Sequence, residues 1–161
     1  MGKYAASTEV SSSKSRDEIE RILTRYGADQ FMYGWQDSAA VVAFRANDRR
    51  VRFILPLPSR EDPAFTTYKQ GSTFFRRAES EIDRRYEQSI RQRWRALALV
   101  IKAKLEAVES GISEFEDEFL ANIMLPTGAT VGEWMRPQVA EAYRVGTMPP
   151  MLPMLPAPDT E

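Results

Sequence analysis

A chain of 161 residues with 43% apolar side chains can bury one packed domain, and it has no apolar run near the roughly 20 residues a membrane helix needs. It has no Cys and no His, which excludes disulfides, thiol nucleophiles, the usual zinc ligands and an imidazole base. The net charge of −1 hides an uneven distribution: residues 45–104 carry 15 basic and 7 acidic side chains, and residues 105–161 carry 2 and 10. A central segment at +8 beside one at −8 makes a strong local field unless the two pack together and neutralise.

The first residues, MGKYAASTEVSSSKS, are polar and Ser-rich. They contain no apolar h-region, so no secretory signal is expected, and Ala6 stands where myristoylation wants Ser or Thr. Residues 1–14 read as a flexible lead to a single domain over 15–146. Ser15 and Glu18 form a capping-box pattern, and Ile19, Ile22, Leu23 and Tyr26 follow at helical spacing. The spacing predicts a short helix over 16–26, closed by Gly27.

Residues 30–58 read as three strands with tight turns at Gln36-Asp37-Ser38 and Ala46-Asn47-Asp48. Phe31, Tyr33 and Trp35 alternate in the first. Val41, Val42 and Phe44 lie in the second, and Val51, Phe53, Ile54 and Leu55 in the third. An antiparallel meander is expected, with Arg50 and Arg52 on the face opposite Val51 and Phe53. Residues 57–76 are the least regular stretch. They interleave Phe65, Tyr68, Phe74 and Phe75 with Lys69, Arg76 and Arg77, and Gly71 marks the bend of a short hairpin.

From about 78 to 109 there is neither Pro nor Gly, and Ile82, Tyr86, Ile90, Trp94, Leu97, Ile101, Leu105 and Val108 recur every three or four residues. This predicts one long amphipathic helix. Arg77, Arg84, Arg91, Arg95 and Lys102 fall within about 40° of each other on a second stripe. Glu106 and Glu109 then place anions where the helix dipole prefers cations. Ser113 and Glu116 make another capping-box pattern before a helix near 114–124. Thr130 and Glu133 make a third, before a helix over 131–145 with Pro137 as a restart and Gly146 as its close. Residues 147–161 form a Pro/Met/Leu-rich tail with a period of three, which suits polyproline II; Met151, Leu152, Met154 and Leu155 are its candidate protein-binding residues.

No phosphate-binding loop, dinucleotide fingerprint or metalloprotease motif is present, and nothing marks a catalytic residue. Glu114, Glu116, Asp117 and Glu118 read as a solvated helix start, since Glu114 and Glu118 share a face while Glu116 points away. No cofactor or metal is expected. The basic segment supplies what a nucleic-acid surface needs: Arg50, Arg52, Lys69, Arg77, Arg84, Arg91, Arg95 and Lys102 for phosphates, with Tyr68 and Phe74 as stacking groups. Two other readings stand beside it. One is a protein-binding inhibitor or adaptor using the acidic helices and the tail, and the other is a homo-oligomer built on the long helix. The expected fold class is α+β: a short helix, a three-stranded antiparallel meander, a long helix and two shorter helices.

YGADQFMYGW, AAVVAF and RRVRFILPLP, followed by RWRALALVIKAKLEAVESGI, FEDEFL, TVGEWM and the closing MPPMLPMLP, resemble a family of small proteins carried by tailed phages and prophages. The resemblance spans about residues 14–155. That family has no assigned activity, so the likeness transfers no site residues. It implies a non-enzymatic protein in the cytoplasm of a bacterial host, with a phage-encoded task in recombination, replication or interference with host defence. Its implied partners are single-stranded or duplex nucleic acid, a host or phage protein, and a second copy of the chain. The order of three strands and a long helix is also similar to phage single-strand annealing proteins.

Overall fold

The computed structural model describes residues 3–36 and 38–147, with side chains from residue 13 onward except that of Gln36. The architecture is α+β. Helix α1 (Lys3–Arg25) leads into an antiparallel meander of β1 (Gln30–Gln36), β2 (Ala39–Ala46) and β3 (Arg49–Pro56). A one-turn helix α2 (Pro63–Thr66) and a separate hairpin of β4 (Thr67–Gln70) and β5 (Thr73–Arg76) follow. Then come α3 (Glu79–Glu109), α4 (Phe115–Phe119) with a 3-10 turn (Leu120–Asn122), and α5 (Val131–Val145).

Helix α1 starts well before Ser15, so Ser15 lies inside a helix and does not cap one. The reason is in the lead itself: residues 3–14 contain neither Pro nor Gly, and Ser costs a helix only tenths of a kcal/mol. The C-terminal end forms as expected. Gly27 has φ 83°, and Gly27 and Ala28 donate their N–H groups to the carbonyls of Thr24 and Leu23, a Schellman closure.

The sheet register places Phe31, Tyr33 and Trp35 opposite Phe44, Val42 and Ala40, and these opposite Val51, Phe53 and Leu55. This inner face packs beneath α1 and α3. Ile19 and Leu23 of α1 and Ile90, Trp94, Leu97 and Ile101 of α3 close the core. The predicted apolar stripe of α3 is therefore its buried stripe. The β2–β3 turn runs through Asn47 and Asp48, both at positive φ, as a two-residue hairpin requires.

The helix predicted over 114–124 is shorter. Glu114, not Ser113, precedes α4, and no side chain caps it. The residue before Pro126 is biased away from helix, and Met124 is drawn into strand-like pairing. Its N–H donates to the Arg50 carbonyl at 2.7 Å, laying residues 123–124 along the free edge of β3. This edge strand carries α5. Thr130 and Glu133 form the expected reciprocal capping box, and Gly146 closes the helix at φ 73°. Gly132 packs so near the 3-10 turn that an added Cβ would meet the Ala121 carbonyl oxygen at 2.7 Å. Pro137 lies within a continuous α5, not at a restart. Among the described residues no helix is long and apolar enough to cross a membrane.

Candidate nucleic-acid interface

Because α3 buries one stripe in the core, the opposite stripe is presented outward. Arg84, Arg91, Arg95 and Lys102 are all exposed on it. At 1.5 Å per residue they form a row of about 27 Å. Arg91 reaches Glu87, and Lys102 reaches Glu106, each at 3.7 Å and each one turn away on the same helix. Solvent-exposed pairs of this kind contribute about 0–1 kcal/mol and leave the charge free to meet a stronger partner. Arg84 and Arg95 have no carboxylate within 4.0 Å among the described residues. Gln88 and Gln92 are exposed between them; helical spacing places both beside the basic row, a signal that attention to charge alone passes over.

The irregular stretch resolves into the hairpin. Only two residues, Arg77 and Ala78, separate β5 from α3, so its rings adjoin the first turns of the helix. The register pairs Tyr68 with Phe75 and Lys69 with Phe74. Adjacent strand residues face opposite sides, so Tyr68 and Phe74, expected as a stacking pair, point away from each other. Tyr68 and Phe75 stack at 5.7 Å between centroids. The Arg77 guanidinium sits 5.2 Å over Tyr68 and pairs with Glu81 at 3.0 Å. Arg77 therefore braces the hairpin against α3 with its own side chain only 16% exposed. Glu81 also accepts from Arg85 at 2.9 Å, and that bond, with Arg77 nearby, holds its carboxyl below the ordinary range against the opposing effect of desolvation. On the far side Lys69 lies 5.8 Å from the Phe74 ring, and Phe74 is 68% exposed.

The sheet arginines go elsewhere. Arg50 and Arg52 project from the outer face of β3, while α3 covers the inner face, so the sheet and helix cations look in opposite directions. The single continuous sheet-loop-helix surface expected from residues 45–104 does not form. Arg50 is exposed and lacks a carboxylate within 4.0 Å among the described residues. Arg52 bridges Glu133 at 2.7 Å and the Gly128 carbonyl at 3.0 Å, tying the sheet to the start of α5. The backbone bond at Thr130, aided by Arg52, keeps the Glu133 carboxyl below its usual range although partial desolvation opposes it.

The charge split closes only in part. Arg49 meets Glu116 at 3.6 Å and Lys104 meets Glu118 at 3.4 Å, so with Arg52 and Lys102 four cations of the central segment find carboxylates beyond residue 104. Most others are answered locally: Arg45 by Asp29, Arg60 by Glu61, Glu79 and Asp83, and Arg76 by Glu79. What stays open is concentrated on the first half of α3 and the hairpin. The predicted protein-binding residues Met151, Leu152, Met154 and Leu155 lie outside the described residues. In comparisons with known proteins, the chain matched no family model, no curated protein and no solved structure.

Proposed function

We propose that this chain is a non-catalytic, phage-encoded accessory protein that binds single-stranded nucleic acid in the cytoplasm of a bacterial host, in support of recombination or replication. The phage origin rests on the likeness of RWRALALVIKAKLEAVESGI and FEDEFL noted above. The binding reading rests on one observation, the unanswered row on α3. Arg84 and Arg95 have no acidic partner among the described residues, and Arg91 has only a weak one on its own helix. A row of guanidinium groups interleaved with Gln88 and Gln92 offers charge to phosphates and amides to base edges.

The hairpin argues for unpaired bases over duplex. Phe74 presents a flat ring with Lys69 beside it, and stacking a base on such a ring is worth about 1–3 kcal/mol. Arg50 lies outside this footprint, and Arg52 and Arg77 serve it by holding other elements in place. Fluorescence anisotropy with a labelled single-stranded oligonucleotide and its duplex, from low to moderate salt, tests the reading. The single strand binds more tightly, and log affinity falls with log salt with a slope of about −2 to −3, as three or four neutralised phosphates require. Absence of binding at low salt, or binding without a salt slope, overturns it.

A second reading draws on the outer face of the sheet. Met32 and Ile54 are exposed there at 64% and 46%, on either side of Val41. Apolar side chains gathered on one sheet face favour a homo-oligomer. Light scattering at micromolar concentration then returns a fixed multiple of the chain mass, and a monomer ends that reading.

A further inference from the structure

Helix α5 is less covered than its composition leads one to expect. It has 15 residues, and none of them is buried. A helix of that length is marginal in water without packing. Its capping box and its left-handed closure help, but a cap is worth only about 1 kcal/mol, and Pro137 removes one hydrogen bond from the interior. Trp134, Val139, Tyr143 and Val145 are all exposed, Tyr143 at 87%. At 100° per residue these four lie on one half of the helix, around Met135 and Ala142.

The chain that follows is chemically suited to that half. Thr147 leads directly into MPPMLPMLPAP, eleven residues without a charge. Its Pro content favours polyproline II, at about 3.1 Å per residue, so Met148–Leu155 spans about 25 Å. Helix α5 is about 22 Å long at 1.5 Å per residue. Proline rings in that conformation seat against aromatic side chains, and Trp134 and Tyr143 supply them. Ala142, Tyr143, Gly146 and Thr147 line a hollow where the chain leaves the helix, so the path begins in a concave surface. Direct continuity also gives the segment a millimolar effective concentration at α5, which a second copy reaches only at high protein concentration.

We propose that Met148–Leu155 docks along the apolar half of α5 in its own chain and supplies the packing that the helix lacks. The strap and α5 then form one unit, joined to the sheet through Arg52 and Glu133.

Paramagnetic labelling tests this, aided by the absence of native Cys. A nitroxide on Leu155→Cys in the full chain broadens amide signals over Trp134–Val145 and leaves α3 untouched. Broadening only in a mixture of isotope-labelled and spin-labelled copies overturns the own-chain arrangement in favour of exchange between copies. No broadening on α5 in either sample overturns docking altogether. As a second measurement, truncation after Thr147 lowers amide-exchange protection in α5 at least tenfold while α3 keeps its protection; unchanged protection in α5 contradicts the proposal.

Discussion

The meander and the hairpin are both antiparallel and both rich in aromatic residues, yet they use them in opposite ways. In the meander, Phe44 and Phe53 stack at 6.4 Å, and Phe119 meets both edge-on at 5.9 and 6.3 Å. In the hairpin every residue of β5 is exposed, and in β4 only Thr67 is partly covered. An isolated two-stranded hairpin is marginal in water. This one is held only near its base, by the Arg77 N–H bond to the Thr66 carbonyl at 2.8 Å, by Arg77 over Tyr68, and by Phe65 against Tyr86 at 6.0 Å. An aromatic residue in the meander contributes to stability, whereas one on the hairpin is available to a partner.

The largest test of that contrast is at Trp94, which has no exposed surface. Trp94→Ala is expected to cost about 3–5 kcal/mol in urea unfolding. Trp94→Phe costs clearly less, because the indole N–H has no acceptor in the structure and only its packing is lost. Next comes the α3 row. Replacing Arg84, Arg91 and Arg95 together by Ala is expected to weaken single-strand binding about a hundredfold and flatten the salt slope by about 2, with the unfolding midpoint little changed.

Smaller effects concern the attachment of α5. Thr130→Ala removes the N-cap and costs about 1 kcal/mol. The pH dependence there has a defined sign. The folded state lowers the Glu133 pKa, so its contribution is present above the ordinary glutamate value of about 4.3 and is lost as pH falls through the lower folded value. Glu133→Gln is therefore less stable than the parent at pH 7, and the gap narrows in acid, as chemical unfolding at a series of pH values will record. The smallest stability effect is at the hairpin: Phe74→Ala stays within about 0.5 kcal/mol in unfolding, while single-strand affinity falls about tenfold. A large loss of stability there would erase the distinction between the two sheets.

Much of the fold was legible because the signals were local. Gly27 and Gly146, the Thr130–Glu133 box and the 3.6-residue recurrence from Ile82 to Leu105 each act within a turn or two of the chain. The early start of α1 was hidden because Ser15 carries a good cap pattern and Ser-rich helices lack a periodic stripe to betray them. The curtailed helix after Glu114 was hidden for a different reason. Its last residues leave the helix to pair with β3, some 70 positions away, and no local pattern announces that edge.

The candidate site divides along the same line. Helical and strand periodicity alone placed Arg84, Arg91, Arg95 and Lys102 on one stripe and set Arg50 and Arg52 opposite Val51 and Phe53, since backbone geometry fixes where consecutive side chains point. Only the tertiary arrangement decided which of those charges stay open. Arg52 found Glu133 81 positions away, Arg77 turned onto Tyr68, and the hairpin register sent Tyr68 and Phe74 to opposite sides. Charge compensation acts over a few ångströms in space whatever the separation along the chain, so a linear count of basic residues overstates the surface that a polyanion can meet.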